Sequence, residues 1–151
     1  MLYYLLAAAL VVVDQLVKFL VRANIPLGEG VPFIPHILQL TYYQNTGAAF
    51  SIFEQHTWIL TLISTAASVL LIVLLAKRTF NHPFAMVSLA LVLAGAVGNL
   101  IDRLFLGYVT DMFQTLFMNF PIFNVADICI VCGGIAFCVY FLLFCKEEEK
   151  A

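Results

Sequence analysis

Four stretches of this chain are almost wholly apolar: Leu2 to about Val21, Thr57–Ala76, Pro83–Ile101 and Val125 to about Cys145. Each is long enough, as an α-helix, to cross the roughly 30 Å hydrocarbon core of a bilayer. Between the first two the pattern changes period. In ILQLTYYQ, Leu38, Leu40 and Tyr42 alternate with Gln39 and Thr41, which predicts a strand. NTG at 45–47 reads as a turn and AAFSIF at 48–53 as a return strand. The preceding PLGEGVPFIP is turn-rich, with Pro26, Gly28, Gly30, Pro32 and Pro35. Between the last two stretches, Leu104 to Phe123 is amphipathic and aromatic-rich, suited to a membrane interface. The pattern predicts an all-α polytopic membrane protein: four transmembrane helices, a small surface β-sheet and an interfacial loop or helix. Residues 1–151 are expected to form one membrane-embedded domain.

Composition agrees. The chain is 64% hydrophobic and only 11% charged, where a soluble domain carries about 25% charged residues. Its mean hydropathy is +1.04. The first stretch lacks a basic flank, and Asp14 and Lys18 interrupt it, so it is expected to stay as a span instead of being cleaved as a signal peptide. Residues 23–56 and 104–126 contain no Lys or Arg, whereas Lys77, Arg78, Lys146 and Lys150 flank the other ends. The positive-inside rule therefore places both termini in the cytoplasm and the two longer loops outside. Lys18, Arg22 and Arg103 run against that rule, which suggests that each serves another purpose.

On this topology the polar residues inside the spans converge. Asp14 and Lys18 lie four apart in the outer half of the first helix, on one face. Gly95, Gly98, Asn99 and Asp102 share a stripe on the third, with Arg103 beside them. Ala94 and Gly98 form a small-xxx-small pair suited to close helix approach. Asn124 and Asp127 open the fourth helix with the spacing of a capping box. Asp111 lies in the loop between. Capping accounts for one helix start; it does not account for convergence from three helices and a loop, which suits a polar site at the outer membrane surface. A transporter or proton-pathway subunit would instead carry such groups across the membrane, and a scaffold would use them only to pair helices.

The chemistry open to such a site is narrow. His36, His56 and His82 lie outside the cluster and have no metal-ligand spacing, and there is no H-E-x-x-H or phosphate loop. Nothing in the sequence suggests a metal or cofactor, and no basic tract suits nucleic acid. Cys129 and Cys132 form C-x-x-C inside an apolar run, where small side chains are the simpler reading. Carboxylates remain. Two that lie close together can share one proton, so that one takes a proton from water while the other donates to a carbonyl. The pattern alone leaves open which two aspartates pair.

The chain closely resembles the bacterial lipoprotein signal peptidases (signal peptidase II). VVDQLVKFLV at 12–21, NTGAAFSIF at 45–53, GAVGNLIDRLFLGYVTDMF at 95–113 and FNVADICIV at 123–131 carry the resemblance, in the family's order. It implies an aspartic endopeptidase of the bacterial plasma (inner) membrane that cleaves prolipoproteins just before a diacylglyceryl-modified cysteine. It also implies Asp111 and Asp127 as the catalytic pair. Asp14, Lys18, Asn45, Gly47, Asn99, Asp102, Arg103, Asn124 and Ala126 match supporting positions. Asn45 and Arg103 are candidates for holding substrate carbonyls or a polar head. In VTDMF, Thr110 and Met112 are small departures from the family's pattern around Asp111. The free N–H groups of a first helical turn favour an anion at Asp127, so Asp111 is expected to hold the shared proton more often. The expected partners are diacylglyceryl-modified prolipoproteins and membrane lipid, and the expected state is a monomer.

Overall fold

The computed structural model describes residues 1–47 and 57–144. Helix α1 spans Leu2–Asn24, α2 Thr57–Ala76, α3 Pro83–Leu106 and α4 Val125–Leu143. All four are long and apolar enough to cross a membrane. The only proline in them, Pro83, occupies the first position of α3, where no intrahelical N–H is lost. His82 caps that end, its Nδ1 accepting the Phe84 N–H at 3.2 Å. α3 runs past the expected Ile101 to Leu106 and stops at Gly107, whose φ of 80° is a left-handed cap that suits glycine. α1 likewise runs past Val21 to Asn24.

α3 is the central helix and packs against α1, α2 and α4. Its Met86, Leu89, Ala90 and Leu93 meet Ala7 of α1 and Leu71 and Leu75 of α2 in the main apolar core. Lipid tails supply no hydrophobic drive between helices, so close packing has to hold them together. The stripe of small residues does this. At Gly95 even a β-carbon would collide with the Ala126 carbonyl oxygen and the Ile130 side chain of α4.

β1 (Gly30–Ile34), β2 (Leu38–Asn45) and β3 (Val109–Thr115) form one antiparallel sheet in the order β1-β2-β3. It lies at the end of the bundle where α1 and α3 finish and α4 begins. The sheet was expected, but two of its strands were not. β1 arises inside the turn-rich PLGEGVPFIP segment, and β3 inside the aromatic loop. The expected return strand at 48–53 lies outside the described residues. Residues 104–106 complete α3, and no separate helix forms between Leu106 and Val125 among the described residues. Register explains β3: Tyr43 faces Asp111, Asn45 faces Val109, and Gln39 donates its side-chain amide to Gln114 at 2.7 Å. The other edge of β3 is covered by Phe123, which exchanges backbone hydrogen bonds with Phe113 at 2.8 and 3.2 Å. Strand alternation sends Thr110 and Met112 to the face opposite Asp111. Met112 is buried there with Val21 of α1 and with Ile25, just past the end of that helix.

Candidate active site

All four aspartates of the chain gather where the sheet meets the bundle. They fall into two pairs with different partners. Asp14 and Asp102 share Lys18, whose Nζ is 2.9 Å from Asp14 Oδ2 and 3.4 Å from Asp102 Oδ2. All three are buried. The geometry follows from helix spacing: Asp14 and Lys18 are one turn apart on α1, and the absence of a side chain at Gly98 leaves room for them against α3. A β-carbon there would lie 2.7 Å from Asp14 Oδ2. Further donors complete the cluster. Ala126 N–H donates to Asp14 Oδ1 at 2.9 Å, and Thr110 N–H to Asp102 Oδ2 at 2.8 Å. Gln15 Nε2 is within 3.2 Å of Asp14 Oδ2, the Gly98 carbonyl and Asp102 Oδ1. The cluster thus ties α1, α3, α4 and β3 together at one point.

Asp111 and Asp127 form no ion pair among the described residues; their oxygens accept from amides. Asp111 Oδ1 accepts from Asn124 Nδ2 at 2.6 Å and Oδ2 from Asn45 Nδ2 at 2.8 Å. Asp127 Oδ1 accepts from Asn99 Nδ2 at 2.8 Å and Oδ2 from Asn124 N–H at 3.2 Å. Asn124 Nδ2 also donates to Asn99 Oδ1 at 3.1 Å, so two side-chain amides bridge the carboxylates. Lys18 orients that bridge by donating to Asn99 Oδ1 at 3.0 Å. Asn45 is itself held by a turn, its Oδ1 accepting the Gly47 N–H at 3.0 Å. Burial pushes the Asp111 carboxyl up to about 7, and the charge of Asp127 adds to the effect, against the opposing pull of the Asn45 and Asn124 amides and of Lys18. A group that is partly protonated near neutrality beside a second carboxylate can donate a proton while its neighbour accepts one.

Both carboxylates line a cavity of about 690 Å³ to which α2, α3, α4, the sheet and residues 120–123 all contribute. Away from Asp111 and Asp127 the lining turns apolar, with Ile63 and Ala67 of α2, Ala96 of α3 and Val131 of α4. Arg103 also lines it. Its Nη1 donates to Ser64 Oγ at 3.2 Å, while its Nε is buried with no hydrogen-bond partner among the described residues.

Every site residue expected from the sequence thus falls in or beside this cluster. Gln15, Arg22, Ser64 and Thr110 join it without having been expected there. Gln15 carried a readable signal, as an amide within an apolar span, but counting ionisable groups passes over it. Ser64 carried none, because hydroxyls recur all along α2.

A family model described as "Signal peptidase (SPase) II" matches residues 6–143. The chain is 49% identical to a lipoprotein signal peptidase of Enterococcus faecalis over 99% of its own length and 90% of that protein's. It is 43% identical to one of Latilactobacillus sakei, over 98% and 97% of the two chains. A solved bacterial membrane enzyme superposes with a TM-score of 0.87 at 32% identity, covering 93% of this chain and 87% of that one. Agreement over nearly the whole length, in sequence and in fold, makes this chain a member of the signal peptidase II family.

Proposed function

We propose that the protein is a membrane aspartic endopeptidase that removes the signal peptide from diacylglyceryl-modified prolipoproteins, cutting just before the lipidated cysteine. The observation that carries this reading is the sorting of the four aspartates. Lys18 holds Asp14 and Asp102, while Asp111 and Asp127, bridged by amides alone, face the cavity.

The chemistry follows from that pair. Water attacks the scissile carbonyl carbon and gives its proton to the Asp127 carboxylate. Protonated Asp111 gives its proton to the carbonyl oxygen, producing a tetrahedral diol. As the C–N bond breaks, the proton on Asp127 passes to the leaving nitrogen. Asp111 takes back a hydroxyl proton as the new carboxylic acid forms, which restores the pair. Asn45, Asn99 and Asn124 hold the two carboxylates in register, and the free Nε of Arg103 is available to a substrate carbonyl.

The fold suits a lipid-anchored substrate. The apolar part of the cavity continues from the carboxylates between α2 and α4, so a diacylglyceryl group or an apolar signal segment can stay at membrane depth during cleavage. Lys77 and Arg78 lie in the α2–α3 connection, at the bundle end opposite the site. With the positive-inside rule, this supports cytoplasmic termini and a site at the outer face of the plasma membrane. One chain carries the whole constellation, which supports a monomer.

The test is a processing assay. Diacylglyceryl-modified prolipoprotein is presented to the purified protein and to its Asp111→Asn and Asp127→Asn variants, and the size shift is followed. Cleavage by the parent alone is expected. Cleavage by either variant at the parental rate would overturn the assignment of that residue.

A further inference from the structure

We propose that Arg22 is a positioning residue for the reaction, acting through Thr110 to hold Asp111 in place; this rests on Asp111 being one of the catalytic carboxylates. Arg22 sits in the last turn of α1, at the bundle end where the positive-inside rule does not favour a cation. Its Nη1 donates to Thr110 Oγ1 at 2.9 Å. Thr110 is fully buried, and its N–H donates to Asp102 Oδ2 at 2.8 Å. The residue immediately before Asp111 is therefore tied by its side chain to α1 and by its backbone to α3. The residue immediately after, Met112, is buried against Val21, which precedes Arg22 on α1, and against Ile25, just past the end of the helix.

Asp111 therefore sits between two strand residues that are both anchored on the last turn of α1. Its own side chain points to the other face, toward Asn45 and Asn124. Arg22 forms no ion pair among the described residues, and Lys18 occupies the nearby Asp14 and Asp102 carboxylates. The hydroxyl of Thr110 is then the partner that fixes the guanidinium.

Reaction rates are steep functions of the placement of a reacting group, on the order of a hundredfold per ångström. A slackened β3 should therefore lower turnover while leaving the cavity free to bind. The experiment measures kcat and KM on diacylglyceryl-modified prolipoprotein for Arg22→Gln, Thr110→Val, Thr110→Ser, the Arg22→Gln/Thr110→Val double variant and Asp111→Asn. Arg22→Gln and Thr110→Val are each expected to lower kcat about tenfold with KM unchanged. The double variant should be no slower than the slower single one, because both remove the same bond. Thr110→Ser keeps the acceptor and should remain within about twofold of the parent. If Thr110→Val does not fold, Arg22→Gln still decides, because Arg22 is only partly buried. Parental kcat in Arg22→Gln, or additive losses in the double variant, with Asp111→Asn inactive, would overturn the inference and leave the peptidase reading intact. Parental cleavage by Asp111→Asn would overturn both.

Discussion

Asn124 and Asp127 cap α4 reciprocally: the Asn124 side-chain oxygen accepts the Asp127 N–H at 2.9 Å, and the Asp127 carboxylate accepts the Asn124 N–H at 3.2 Å. The same asparagine donates to Asp111 at 2.6 Å. Its oxygen serves the helix and its nitrogen serves the site, and substitution can separate the two. Asn124→Ala should cost about 1–2 kcal/mol of stability through the lost cap. It should also lower cleavage. Asn124→Ser keeps a good capping oxygen but is too short to reach Asp111. We expect its unfolding midpoint in detergent to stay near the parent's while kcat falls at least about tenfold. A serine variant with parental kcat would show that the amide bridge does not matter to the reaction.

Asp111 sets a pH dependence whose sign is opposite to that of an ordinary paired carboxylate. Its folded-state pKa is raised, to about 7, above an unfolded value of about 3.9. Between those two values the folded state holds more protons than the unfolded one. The group's contribution to stability is therefore full below the unfolded pKa and is lost as pH rises toward 7. The proposed mechanism needs Asp111 protonated, so cleavage should also decline as pH rises through about 7. Unfolding midpoints and kcat/KM across pH 5 to 9 check both trends. In Asp111→Asn this descending stability slope should flatten, and an unchanged slope would assign it to another group.

The parts of this architecture legible in the sequence are those that local pattern controls. Span length and apolarity announce the four helices, and the Asn124–Asp127 spacing announces the cap. The Asp14–Lys18 spacing likewise announces an ion pair. β3 was illegible because its strand identity comes from partners far along the chain: Tyr43 opposite Asp111 and Phe123 along the other edge. β1 was hidden by Pro32 and Gly30, residues that signal turns but are tolerated in an edge strand. Asp14 and Asp102 could not be told from Asp111 and Asp127 by sequence pattern, because the difference is whether Lys18 reaches them. Arg22 stood out by breaking the positive-inside rule, yet its partner, Thr110, becomes visible only once β3 lies against α1.

The glycines of α3 and α4 should respond to a single added methyl group according to what each faces. At Gly98 it would meet Asp14 Oδ2 at 2.7 Å and Ala126 Cβ at 3.2 Å, whereas at Gly134 nothing lies within 4 Å. Gly98→Ala should destabilise by about 1–3 kcal/mol, as overpacking does, and should lower cleavage by displacing Asp14 from Ala126. Gly134→Ala should be neutral or stabilising by up to about 1 kcal/mol, through helix propensity alone. Thermal unfolding in one detergent compares them directly. Equal effects at the two positions would mean that the α3–α4 contact is looser than its geometry indicates.

Lys18 makes the sharpest stability prediction. It is completely buried beside two carboxylates that are themselves buried, and it also orients Asn99. Lys18→Met keeps most of the stem volume but leaves Asp14 and Asp102 without a cation. Breaking a buried pair in this way costs about 3–5 kcal/mol, because the stranded charges keep their desolvation penalty. Adding Asp14→Asn removes one stranded charge, so the double variant should be more stable than Lys18→Met alone. Cleavage should not recover with it, because Asn99 still lacks the donor that fixes its oxygen toward Asn124. Recovery of stability without recovery of kcat would separate the ion pair's role in holding α1 to α3 from its role in orienting the amides that bridge Asp111 and Asp127. Recovery of both would confine Lys18 to the structural role.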